Sequence, residues 1–123
     1  MKTNDELPLV GVVGPCGAGK STLIEGLKSF GVPTRHIAQE HSYVSYMWRH
    51  ITNPDILIFL DCSFSETVRR RKLNWTIDEY QEQHRRLSDA RQHADLYIQT
   101  DLMTPDDVVK QVLIFLKDRG YNI

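Results

Sequence analysis

Near the N-terminus stands a group of residues whose types and spacing suit them to holding phosphate: Gly14, Pro15, Cys16, Gly17, Ala18, Gly19, Lys20 and Ser21, with Thr22 next. Glycines at both ends of such a loop let the backbone curl with its N–H groups turned inward on an anion. A helix opening near Lys20 would aim the positive end of its dipole at the same point. At this spacing Lys20 is a solvent-reaching cation placed for the outer phosphates of a nucleoside triphosphate, and the Ser21 hydroxyl is placed for Mg²⁺. A glycine-rich turn also arises by chance. The weight here comes from context, because the loop joins the apolar run Leu7 to Val13 to an amphipathic stretch. Cys16 lies near a helix start, where thiols become reactive; we read it as a tolerated loop residue.

Phosphate chemistry also needs an acid for the metal or the nucleophile, and two residues compete for the part. Asp61 closes the apolar run Ile56 to Leu60, the Walker B pattern, although an Asp there would equally cap a helix starting at Ser63. Glu40 lies just beyond the expected second strand, Thr34 to Ala38, at the edge where parallel sheets place ligands. Its neighbours Gln39 and His41 give it the look of a binding loop rather than of packing, and a solvated loop is the competing reading. Ser21, Glu40 and Asp61 are therefore the metal candidates. Arginines concentrate between Arg69 and Arg91. The segment 69–86 reads as a lid, with Arg71 and Arg85 the candidates for neutralising a moving phosphoryl group. The competing reading is a solvated helix surface with arginines paired to nearby acids. Trp75, His84 and His93 read as packing residues.

These residues must be positioned by one domain, since 123 residues do not make two. The net charge of -1 offers no overall basic field for nucleic acid. Two cysteines make neither a disulfide framework nor a zinc cluster. There is no apolar run near membrane-spanning length and no signal-peptide pattern, so the expectation is a cytoplasmic protein with no membrane partner.

Apolar runs alternate with helical periods. Strands are expected at Leu7 to Val13, Thr34 to Ala38, Ile56 to Leu60 and Leu96 to Gln99. Helices are expected at Lys20 to Phe30, Ser42 to Ile51, from Ser63 through the arginines, Thr76 to His93, and after Thr104. The spacings Ser63–Glu66 and Thr76–Glu79 are capping boxes, and Pro105 suits a first helical position. This order gives a three-layer α/β/α P-loop fold with a small parallel sheet of about four strands.

The residues resemble the P-loop kinases of small molecules, the nucleoside monophosphate kinases and shikimate kinases. The loop carries the resemblance, with Asp55 to Asp61 before a basic helix and Ala94 to Asp101 before Thr104-Pro105-Asp106-Asp107. The resemblance implies that Thr100 to Thr104 lines a base pocket, that 69–86 spans the lid, and that the acceptor lies beyond the second strand. Only about seventeen residues separate Ala38 from Ile56, so the family's acceptor subdomain and one strand are missing. If the Walker B strand is the lost one, the metal acid is Glu40. The expected activity is transfer of the γ-phosphoryl of ATP, with Mg²⁺, to an unknown small acceptor. Simple hydrolysis and nucleotide binding without turnover are the alternatives.

Overall fold

The computed structural model describes residues 6–71 and 74–123, with the backbone alone of Arg71. The chain runs β1 (Val10–Val13), α1 (Lys20–Ser29), β2 (Thr34–His36), a 3₁₀ turn (Gln39–His41), α2 (Met47–Ile51), β3 (Ile56–Asp61), α3 (Phe64–Arg71), α4 (Ile77–His93), β4 (Leu96–Gln99) and α5 (Pro105–Asp118). The four strands form one sheet in the order β2-β1-β3-β4, and every pairing is parallel.

Side chains alternate along the strands and so divide the core in two. Val10, Val12, Ile56, Ile58, Leu60 and Ile98 pack under α1 and α5, where Leu23, Leu27, Val112 and Leu116 are buried. Val13, Leu57 and Phe59 turn the other way, onto Trp48 of α2 and Leu87 and Ala90 of α4. Helices thus cover both faces, compatible with a three-layer α/β/α fold. Two-sided burial explains why β1 and β3 as far as Leu60 are apolar, each large apolar side chain contributing about 1.5–3 kcal/mol. Among the described residues no helix is long and apolar enough to cross a membrane.

The loop after β1 heads towards β2, and the chain after β3 heads towards β4 on the other side. The carboxyl ends of β1 and β3 therefore flank the point where the winding reverses, the place where open parallel sheets leave a crevice. Gly14 sits there with φ 155°, and a Cβ on it would lie 2.1 Å from the Leu60 carbonyl oxygen. Only glycine lets the loop leave β1 so close to β3.

The second helix is shorter than expected: it covers Met47–Ile51, not Ser42 to Ile51. Side chains compete with the helical backbone here. The Val44 amide donates to Ser42 Oγ (3.2 Å), and the Trp48 amide donates to Gln39 Oε1 (2.8 Å). Residues 74–76 lie outside both α3 and α4, and Thr76 and Glu79 form the expected capping box. Thr104 and Asp107 form another on α5, with Pro105 in its first turn.

Candidate functional site

The glycine loop delivers its residues to the open end of α1. Gly19 precedes that helix in a left-handed conformation (φ 98°, ψ 22°), no side chain caps it, and its first turn has no acid. The capping boxes of α4 and α5 leave no such opening. The first-turn amides of α1 thus keep their capacity to hold an anion.

Lys20 is not the solvent-reaching cation expected, since only 6% of it is exposed. Its ammonium donates to Gly14 O (2.6 Å), Pro15 O (3.1 Å) and Glu40 Oε2 (2.7 Å). The loop folds over its own lysine because these three acceptors replace lost water.

Glu40 reaches this point because Gln39 anchors the turn that carries it. The Gln39 amide donates to Val44 O (2.8 Å) and Arg86 O (3.2 Å) while accepting from Trp48. Glu40 is 2% exposed, and its Oε1 has no hydrogen-bond partner among the described residues. His41 Nε2 lies 3.9 Å from Glu40 Oε2 and 3.8 Å from Cys16 Sγ. Cys16 is clamped from α4, donating its amide N–H to Gln83 Oε1 (3.0 Å) and accepting from Gln83 Nε2 at sulfur (3.3 Å).

Asp61 is placed differently. Its Oδ1 accepts from the Cys62 amide (2.8 Å) and lies 3.4 Å from His84 Nε2, while Oδ2 accepts from the Tyr97 hydroxyl. Burial pushes the Tyr97 hydroxyl up to about 12, and its bond to Asp61 adds to the effect. His84 is held below its ordinary value by burial first, with the Asp61 carboxylate pulling the other way and Arg91 adding to the lowering. The structure brings Lys20 and Glu40 together and gives Asp61 to the α4 face.

A cavity of about 570 Å³ opens beside the loop, lined by residues 16–23, His36, Glu40, His41, Arg69, Arg70, Thr100, Asp101 and the start of α5. His36 is lowered by burial first and by the Lys20 charge, with Glu40 opposing. Arg70, within the expected lid segment but not singled out there, donates to Thr100 Oγ1 (2.9 Å) and to the Thr100 carbonyl oxygen. The Thr100 hydroxyl in turn lies 3.3 Å from Ala18 O, which ties Arg70 to the loop. Glu66 pairs with both Arg69 and Arg70.

Of the sequence candidates, Arg85 does not line the cavity; it is 76% exposed at its side chain and paired with Glu82. The Arg71 side chain and residues 72–73 of the expected lid lie outside the described residues. Trp75 packs, its indole donating to Thr67 Oγ1 (3.2 Å) and its rings meeting Phe64 and Tyr80. Thr100 was expected only as the start of a base pocket and Arg70 only as part of the lid segment; that the two bond each other has no sequence signal, since one is an arginine among neighbours and the other a threonine after a strand.

No protein-family model matches the chain, and no curated protein matches it.

Proposed function

We propose that the glycine loop is a P-loop holding the phosphates of a nucleoside triphosphate, ATP first, and that the protein is a small phosphotransferase. The observation that carries this is the buried Lys20 ammonium beneath the loop, at the uncapped end of α1, beside a cavity of nucleotide size. An arriving triphosphate offers Lys20 phosphate oxygens in exchange for the Gly14 and Pro15 carbonyls, and the first-turn amides of α1 complete the cradle.

Ser21 and Glu40 are the residues that would hold Mg²⁺. They line the same cavity, and the unpartnered Glu40 Oε1 suits a hard cation or its water. The ion, when bound, neutralises charge on the phosphates. Asp61 is less suited, because both of its oxygens are already engaged. Arg69 and Arg70 on the cavity wall are better placed than Arg85 to meet charge developing on the transferred group.

One observation favours a binding module without turnover. Glu40, the acid best placed for chemistry, is itself paired with Lys20. Incubation with γ-labelled ATP, Mg²⁺ and a panel of small hydroxyl-bearing acceptors separates the readings. The phosphotransferase moves label to an acceptor and Glu40→Gln stops it. Phosphate release with no acceptor identifies a hydrolase, and binding with neither product leaves the module.

A further inference from the structure

Cys16, Glu40 and His41 come from the glycine loop and from the 3₁₀ turn after β2, and only the fold brings them together. One ligand atom from each lies within 4.8 Å of the others. We propose that Cys16 Sγ, His41 Nε2 and one carboxylate oxygen of Glu40 form a site for a soft divalent cation of the zinc class, with a fourth position left for solvent or a ligand.

Four arguments carry it. A tetrahedral zinc ion with Zn–S of about 2.3 Å and Zn–N of about 2.0–2.1 Å sets its sulfur and nitrogen ligands about 3.6 Å apart. Cys16 Sγ and His41 Nε2 stand at 3.8 Å, so little movement is needed. Second, Glu40 is buried with its carboxylate at the site: Oε2 accepts from Lys20 and lies 3.9 Å from His41 Nε2, while Oε1 is unpartnered among the described residues. A carboxylate can serve an ammonium with one oxygen and a cation with the other. Third, Gln83 already donates to the Cys16 sulfur, an outer partner that orients a thiolate ligand. Fourth, thiolate and carboxylate together offset the cation despite the nearby ammonium. Binding forms the metal–sulfur bond and releases the thiol proton to solvent, with no change of oxidation state.

This donor set differs in kind from an Mg²⁺ site, which takes oxygen ligands. The site stands without the triphosphate reading. If that reading holds as well, the two cations contend for Glu40, and a soft cation opposes Mg²⁺–triphosphate binding.

Cobalt(II) titration of the reduced chain, without nucleotide, tests the proposal. The expected result is a sulfur-to-cobalt charge-transfer band in the near ultraviolet, with the visible bands of four-coordinate cobalt, all removed by one equivalent of Zn²⁺. Cys16→Ser loses the charge-transfer band. His41→Gln, at a ring 61% exposed and so harmless to the fold, weakens cobalt binding at least about tenfold. Cys62→Ser keeps the band, because Cys62 is buried elsewhere. No band in the wild type overturns the site, and so does a band that survives Cys16→Ser or an affinity unchanged in His41→Gln.

Discussion

An ammonium group as buried as that of Lys20 depends on each of its acceptors, and one of the three belongs to a residue twenty positions away. Removing only one member of a buried ion pair strands the other, at a cost of about 3–5 kcal/mol. Glu40→Ala should fall in that range in urea unfolding. Lys20→Met/Glu40→Ala should cost clearly less than the sum of the single changes, because neither charge is then left alone. Strict additivity would mean that the pair contributes nothing to folding. The loop itself was legible in the sequence, since glycine spacing and a following helix are local facts. The Lys20–Glu40 pair was not, because it depends on β2 lying beside β1. Nor could the sequence choose among adjacent arginines. Their direction follows from helix phase, and the phase of α3 turns Arg70 to Thr100.

Helix α1 meets α5 at Gly26, where an added Cβ would stand 2.5 Å from Val109 Cγ2. Two effects oppose each other in Gly26→Ala. Helix propensity gains about 1 kcal/mol, while overpacking against a stiff β-branched side chain costs about 1–3 kcal/mol. The expected outcome is a net loss of stability, reversed when Val109→Ala is added; a stabilised single variant would show that the helices move apart freely. On the opposite face, His84 is kept below its ordinary value of 6.5 chiefly by burial. A lowered histidine favours folding above that value and opposes it below, where the unfolded chain takes the proton more readily. Stability should therefore fall from about pH 7 to about pH 5, and His84→Asn should flatten the slope. His36 is lowered too, so some slope remains. An unchanged slope in thermal melts would remove His84 from the account. Strongly apolar β3 and the capped helices α4 and α5 were readable from local pattern. The shortening of α2 was not, because it comes from the side chains of Gln39 and Ser42.

Across the whole molecule, the order β2-β1-β3-β4 sets the glycine loop where the winding reverses. Alternating strands and helices made the parallel sheet foreseeable, but the order of strands within it rests on pairings that no local pattern encodes. That order leaves Glu40 at the carboxyl edge beside β1 and commits Asp61 to Tyr97 and His84. The central claim is that this edge holds a triphosphate through Lys20. Calorimetric titration of the wild type and of Lys20→Met with a nonhydrolysable ATP analogue and Mg²⁺ tests it most directly. Methionine keeps the side chain's bulk and removes its charge, and a melt of each free protein checks that the variant is folded. The wild type should bind, and at a ligand concentration about 100-fold above the dissociation constant its stability should rise by about 2.7 kcal/mol. A folded Lys20→Met should lose most of that affinity. A wild type that does not bind the analogue, or a variant that binds it equally well, would contradict the account.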